Sequence, residues 1–396
     1  MNILFCTLSY HPGITGGAER QARLQAEELV RRGHRVTVVC ARTDKLSSAE
    51  INGVRVVRLR RIERRRLFRL SYMVRLLAWM LRHCGDYDLV HVHLANLQAD
   101  IAVAVAHRAH RPAYVKLACG GPVGEIQRFT PMARLTRWYG LRHADRVQAL
   151  SDEIEAELTS IGVSRPHIVR ISNGIDLDEF RPLSAEAQLR LRVQLGLPER
   201  GVIVLFLGRF VDYKGIDDLL TAWPSVRSEN AHLVIVGATA EHWPTAPSGV
   251  SVRGWIDSPL SYLQAADVFV HPSHADGMAN AVLEAMACGC ALIATEHGAT
   301  SQFLTGGSDA LLVPVRDSAT LARALERVAS DADLRNRLAA HARESVRRYE
   351  LGGIVDRIEA EYRTMLASTG TATPDHRSDL RSTTELRDVA EARIRG

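Results

Sequence analysis

The sequence predicts an α/β protein built from two Rossmann-like domains that face each other across a cleft. Three observations carry this expectation. The chain has 396 residues, more than one ordinary core holds, and two domains of roughly 180 residues are the natural division. Short apolar runs alternate with stretches of helical period from the first residues onward, the pattern of parallel sheets covered by helices. Glycines, cations and acids gather where the apolar runs end, and such sheets bind ligands at the carboxyl ends of their strands.

The elements follow in order. Strands are expected at Asn2–Leu8, Arg35–Cys40, Val54–Leu59, Leu89–Leu94, Tyr114–Ala118, Ala144–Ser151 and His167–Ile171. The helix Ala18–Arg32 is closed by Gly33-His34. Asn173-Gly174-Ile175-Asp176 is a turn signal. The boundary between a domain of residues 1–180 and one of residues 181–350 falls just after it, near Phe180-Arg181-Pro182. The second domain opens with the helix Ala185–Leu195. Its strands are expected at Val202–Leu207, His232–Val236, Asp267–His271, Ala291–Thr295 and Ala310–Val315. Helices follow at Thr320–Ala329 and Asp333–Tyr349, and a further helix at Gly353–Leu366, within 351–367. Residues 368–396 read as a polar tail of mixed charge.

Composition excludes several classes. A hydrophobic fraction of 46% is that of a globular protein. No apolar run reaches the ~18 residues of a membrane span. Met1–Cys6 reads as a first strand and not a signal peptide, so a cytoplasmic protein is expected. The six cysteines are scattered without a Cys-x-x-Cys, which points to reduced thiols and against a metal site or disulfide framework. Residues 1–180 hold 27 Lys and Arg against 18 Asp and Glu, a net of +9, whereas the remainder holds 23 against 27, a net of −4. The first half therefore favours an anionic surface or partner.

One segment concentrates that charge. Arg55 to Arg82 carries ten arginines and a single acid, Glu63. Leu70, Met73, Val74, Leu77 and Leu81 share one helical face there. A basic amphipathic helix lies on an anionic membrane, or else it packs on its own sheet with a solvated basic face.

The functional residues cluster in Ser273–Gly289, which pairs two acids, Asp276 in a loop and Glu284 on a helix, eight positions apart. Between them, at Gly277-Met278-Ala279-Asn280, lies a helix N-terminus whose free amides suit a phosphate. Acids aimed at hydroxyls beside amides aimed at phosphate describe a nucleotide-sugar site. Upstream, Gly208-Arg209 ends a strand and Lys214-Gly215 precedes a helix, two cations that can neutralise a diphosphate. Gly16-Gly17-Ala18-Glu19 follows the first strand and opens a helix, either as a ligand loop or as an ordinary glycine turn. His91 and His93 point to one face of their strand.

Together these stretches resemble the retaining GT-B glycosyltransferases of family 4, the glycosyl transferases group 1. The resemblance covers residues 1–366 and rests on five motifs in order: Gly-Gly-x-Glu, His-x-His, Asn-Gly-Ile-Asp, Gly-Arg-x-x-x-x-Lys-Gly and the acidic motif ending in Ala-Met-Ala-Cys-Gly. It implies the GT-B fold and transfer of a sugar from a nucleotide diphosphate with retention of configuration, with no metal and no other cofactor. It further implies that Gly16 and Gly17 face the donor phosphates and that His93 meets the donor sugar. Arg209 and Lys214 would bind the diphosphate, Glu284 the ribose hydroxyls, and Asp276 the sugar hydroxyls. Asp276 stands where the family has Glu. Lys116 and Cys119 stand where many members place a His, and no role is assigned to them. Val252-Arg253-Gly254-Trp255 reads as a loop that in the family's order lines the base pocket, though a core position is the commoner fate of a Trp.

The implied acceptor is a hydroxyl of a glycan or of a lipid-linked, anionic molecule, in cell-surface polysaccharide or glycolipid synthesis. A nucleotide-sugar epimerase of the same fold and a donor-binding protein without turnover are the alternatives. Asp86-Tyr87-Asp88 and Asp331-Ala332-Asp333 spell the Asp-x-Asp of metal-dependent transferases, but neither ends a strand. No Gly-x-Gly-x-x-Gly follows the first strand, which argues against a dinucleotide enzyme. No helix-turn-helix or zinc-finger signature accompanies the arginines, which argues against nucleic acid.

Overall fold

The fold is seen in a computed structural model, which describes residues 1–12, 16–42, 47–60, 68–127, 138–227, 230–237, 247–256 and 258–369. Two sheets organise it. The first has eight strands in the order β3-β4-β2-β1-β5-β6-β7-β8. These are β1 (Asn2–Cys6), β2 (Arg35–Ala41), β3 (Ala49–Ile51), β4 (Val54–Leu59), β5 (Leu89–His93), β6 (Ala113–Lys116), β7 (Arg146–Ala149) and β8 (Ile168–Arg170). The second has six in the order β11-β10-β9-β12-β13-β14: β9 (Val202–Leu207), β10 (Ala231–Val236), β11 (Val250–Arg253), β12 (Val268–His271), β13 (Ala291–Glu296) and β14 (Ala310–Pro314). The pairings between these strands are parallel except β3 with β4. Helices cover both faces, so central strands such as β1 and β12 are continuous apolar runs rather than alternating ones. This is the GT-B arrangement of two Rossmann-like domains.

Two strands were not expected. β3 pairs back on β4 through Asn52 and Gly53, whose φ values of 49° and 77° are those of a tight hairpin turn. The Asn-Gly pair signals such a hairpin, but a three-residue exposed strand carries no apolar pattern to accompany it. β11 occupies Val250–Arg253, part of which was read as loop. Among the described residues it is an edge strand with only β10 beside it.

The chain crosses between the sheets twice at one place. On the outward pass Ile175 N–H donates to Tyr349 O at 2.9 Å, and on the return Leu351 N–H donates to Ile175 O at 2.9 Å. The helix Leu351–Ser368 begins there, its first amides satisfied by Glu350, which accepts from the N–H groups of Gly352 and Gly353. It then lies on the first sheet. Leu351, Ile354, Val355, Ile358 and Tyr362 are buried in one cluster with Ile3, Phe5, Val36 and Val38. Arg32, at the end of helix Gly17–Arg31, ties it down by donating to Gly352 O at 2.8 Å.

The basic segment resolves into parts with different fates. Arg58 on β4 is buried and donates to Ser47 O and His11 O, so its charge serves the fold. Residues 61–67 lie outside the described residues, as do residues 370–396 of the tail. Helix Phe68–His83 carries two apolar stripes instead of the single face read from the sequence. Tyr72, Met73, Leu76 and Met80 are buried in the core, whereas Leu70, Val74, Leu77 and Leu81 are 40–60% exposed. Met73 therefore belongs to the inner stripe. No helix among the described residues is long and apolar enough to cross a membrane.

Ile358 is fully buried at the seam between the last helix and the first sheet. Ile358→Ala is expected to cost about 2–5 kcal/mol through lost burial and the cavity left behind. Urea denaturation checks this, and a loss below ~1 kcal/mol would show that the helix is not part of the first domain's core.

Candidate active site

The site begins with backbone crowding. Gly215 has φ +66°, and a Cβ there would lie 1.9 Å from Pro272 O, so only glycine fits. This brings the loop after β9 against the loop after β12. His274 N–H donates to Tyr213 O at 2.7 Å, and Ser273 Oγ donates to the same oxygen at 3.0 Å. Thr295 on β13 donates to Ser273 O from below. The cation loop and the acid loop thus form one unit.

In that unit Lys214 Nζ pairs with Asp276 Oδ2, and both side chains are mostly buried. His271 Nε2 lies 3.4 Å from the same carboxylate oxygen. Burial alone would push the Asp276 carboxyl up, but Lys214 and His271 outweigh it and hold the group well below the usual carboxylate range. Arg209, by contrast, is exposed, and its Nη2 donates to Tyr213 Oη at 2.8 Å.

The helix Asn280–Cys288 points its N-terminus into the same place. Its N-cap is Ala279, which offers no side-chain cap, and Gly289 ends it with φ 80°. Uncapped amides at a helix start attract an anion. Glu284 is buried on this helix and pairs with Arg20 Nη1 of the first domain at 3.2 Å. Burial raises the Glu284 carboxyl, and Arg20 opposes that rise.

The first domain reaches this helix through the glycine motif. Asn280 Nδ2 donates to Gly17 O at 2.9 Å, and Asn280 Oδ1 accepts from Gln21 Nε2 at 3.2 Å and from Asn173 Nδ2 at 2.9 Å. A Cβ on Gly17 would sit 3.2 Å from Asn280 Nδ2, and one on Gly277 would sit 2.0 Å from Ala118 O. Close approach between the domains therefore requires glycine at 277, whereas a side chain at 17 would press on the Asn280 amide and need it to shift by a few tenths of an ångström. Glu19 of the same motif caps its helix, accepting from Gly16 N–H at 3.0 Å. Residues 13–15 of that loop lie outside the described residues.

The structure thus gathers Gly17, Lys214, Asp276, Gly277, Met278, Ala279, Asn280 and Glu284, with Gly16 beside Gly17 and Arg209 on the Lys214 loop. His93 ends β5, buried, its ring stacked on that of His91 at 4.2 Å. Burial pushes its pKa well down, and neither ring nitrogen has a hydrogen-bond partner among the described residues. No hydrogen bond or ion pair among those residues joins His93 to Arg209, Lys214, Asp276 or Glu284. Trp255 is 54% exposed and is not a core residue. Arg20, Gln21 and His271 were given no site role from the sequence, nor was Asn173, although it stands in the Asn-Gly-Ile-Asp motif. Arg20, Gln21 and Asn173 pair across the domain interface, which has no local signature, and His271 reads from the sequence only as the end of a buried strand.

Comparison with known proteins follows this geometry. A family model described as "Glycosyltransferase Family 4" matches residues 15–179, and one described as "Glycosyl transferases group 1" matches residues 201–331. A D-inositol 3-phosphate glycosyltransferase of Saccharomonospora viridis is 32% identical over 73% of this chain and 73% of its own. The chain is a group 1 glycosyltransferase. A putative teichuronic acid biosynthesis glycosyltransferase of Bacillus subtilis is 28% identical, with 70% of this glycosyltransferase and 71% of that one covered. In fold the group 1 enzyme is similar to the Anabaena protein HepE, solved with UDP and glucose. The TM-score is 0.75 at 19% identity, covering 92% of this chain and 100% of that one.

Asp276 has a folded pKa below its unfolded value, so its pairing contributes stability that is complete above the ordinary aspartate pKa of about 3.9 and is lost as pH falls through the folded value. The wild type should therefore lose melting temperature on its acid limb below about pH 4. Asp276→Asn should flatten that limb in thermal melts across the acid range. An acid limb unchanged by the substitution would show that the pair does not contribute.

Proposed function

We propose that this enzyme transfers a hexosyl group from a nucleotide-diphosphate-sugar to a hydroxyl of a glycan or lipid-linked acceptor, with retention of configuration and without a bound metal. One observation carries the reading: Lys214 and Asp276 form a buried pair beside an uncapped helix N-terminus, against the glycine motif of the other domain. The relative that was solved with UDP and glucose supports the donor class.

In this reading the diphosphate lies on the amides of Met278–Asn280 and takes the charge of Lys214 and Arg209. Lys214 then exchanges its partner Asp276 for phosphate oxygen, and the freed carboxylate accepts hydrogen bonds from the sugar hydroxyls. Glu284 accepts those of the ribose, while Arg20 keeps it ionised. His93 orients the sugar from the first domain. The bond from the anomeric carbon to the phosphate oxygen breaks, and negative charge grows on the leaving diphosphate. Fixed cations and amides stabilise that charge in a site shielded from water. The acceptor hydroxyl attacks the face the phosphate leaves, and its proton passes to the departing phosphate oxygen. Residues 1–180 would present the acceptor and residues 181–350 the donor, with the last helix carried by the first domain.

The relatives act in inositol phosphate glycosylation and teichuronic acid synthesis by their names. With the basic first half, they support an anionic acceptor in surface polysaccharide or glycolipid synthesis. The outer stripe Leu70, Val74, Leu77 and Leu81 is flanked by exposed Arg75 and Arg82. Apolar side chains edged by arginine suit the inner face of an anionic membrane, which supports the reading of a cytoplasmic enzyme peripheral to that membrane.

Incubation with UDP-, GDP- and ADP-sugars, with and without EDTA, followed by mass spectrometry of an added acceptor, tests the reaction. An acceptor-dependent product that survives EDTA is expected, whereas sugar interconversion without an acceptor would favour an epimerase. Lys214→Ala should fold and lower turnover by about 10²-fold or more, the scale of losing one group that stabilises developing charge, and Glu284→Ala should fold and lose most turnover with its ribose contact. Near-normal turnover in either would remove the donor assignment.

Flotation with anionic and with neutral liposomes tests the membrane reading. Recovery with anionic vesicles is expected for the wild type and its loss for Leu77→Glu/Leu81→Glu, with turnover on a soluble acceptor kept. Equal recovery with both vesicles would reject it.

A further inference from the structure

Lys116 has no role in the reaction as described, yet it is a charged residue buried inside the first domain. It is the last residue of β6, in register with His93 on β5 and Gln148 on β7. It is 2% exposed. Its Nζ donates to Asn173 Oδ1 at 2.8 Å. Asn173, itself 5% exposed, donates through Nδ2 to Met278 O at 3.0 Å and to Asn280 Oδ1 at 2.9 Å. A buried amine on the first sheet is thus two hydrogen bonds from the turn that carries the candidate phosphate-binding amides.

The donor and acceptor chemistry of the three groups gives this chain a direction. An ammonium can only donate, and the two ends of an Asn amide are not interchangeable. Lys116 therefore holds the Asn173 carbonyl oxygen toward itself. That turns the Asn173 NH₂ group toward Met278 O and Asn280 Oδ1. With Met278 O held toward the first domain, the peptide is oriented and the N–H groups that follow it are set at the helix start. Asn280, accepting from Asn173 and Gln21, has its own NH₂ free for Gly17 O.

We propose that Lys116 is a positioning residue for the donor diphosphate: through the amide of Asn173 it orients the Met278–Asn280 turn. The inference rests on the donor site proposed above. Burial draws the amine down to about 7; a neutral amine can accept as well as donate, but both hydrogens of Asn173 Nδ2 are already given to Met278 O and Asn280 Oδ1, so the carbonyl oxygen remains the end that meets Lys116. The neighbouring His91 and His93 are pushed well below their ordinary pKa by burial and add no charge beside it. The hydrogen bond, and not an ion pair, is the working contact.

The test is calorimetric titration with UDP, GDP and ADP, together with steady-state kinetics, on the wild type, Lys116→Met and Lys116→Gln. Met keeps the length and loses the donor, whereas Gln keeps an N–H group. Lys116→Met should weaken binding of the preferred nucleoside diphosphate, and raise the KM of its sugar, by about tenfold, the scale of one lost buried hydrogen bond. Its melting temperature should not fall, because the replaced amine is costly to bury. Lys116→Gln should recover most of the affinity. Asn173→Ala, which breaks the same chain at its middle, should match Lys116→Met. Affinity unchanged in a folded Lys116→Met would overturn the proposal and leave the donor site standing, as would a Gln variant no better than Met. No nucleoside diphosphate binding by the wild type would overturn both.

Discussion

Asn280 is held by Gly17, Gln21 and Asn173, three first-domain partners on the first residue of a second-domain helix. A side chain at Gly17 would crowd the Asn280 amide, and Gly277 must be glycine because Ala118 O lies against it. The two sheets therefore meet at the start of a helix, the one part of that element with unsatisfied donors. A fold that joins its domains there leaves a polar seam in which an anion can replace protein contacts.

The two acids of the candidate site are each matched by one cation. Asp276 has Lys214 from its own domain, and Glu284 has Arg20 from the other. An unpaired carboxylate in such surroundings would cost several kcal/mol. The pairs differ in consequence. Lys214–Asp276 lies within the stitched loops and can trade partners without any movement of the domains. Arg20–Glu284 spans the interface, so any opening of the seam separates it. Lys214 and His271 beside the Asp276 carboxylate explain why this acid is so firmly ionised.

Much of the fold was legible because buried parallel strands are continuous apolar runs, and both sheets show them. What escaped was short or lateral. β3 is three exposed residues, and β11 lies at an edge where one neighbour suffices. The helix Phe68–His83 shows the same limit. Its apolar residues spread around more than one face, and only the position of the first sheet separates Met73 from Val74. At the site, the acids, cations and glycines were readable from motif order. Arg20, Gln21, Asn173 and Lys116 were not, because their partners lie in other elements.

By itself the sequence determined two sheets, the order of their strands along the chain, and which loops carry charge, since period and turn chemistry are local properties. It could not determine which charges meet. Lys214 with Asp276, Glu284 with Arg20, and Lys116 with Asn173 are separated by 62, 264 and 57 positions. Bringing such groups to hydrogen-bonding distance is decided by how the sheets pack, because burial both removes water from each charge and leaves a single partner within reach.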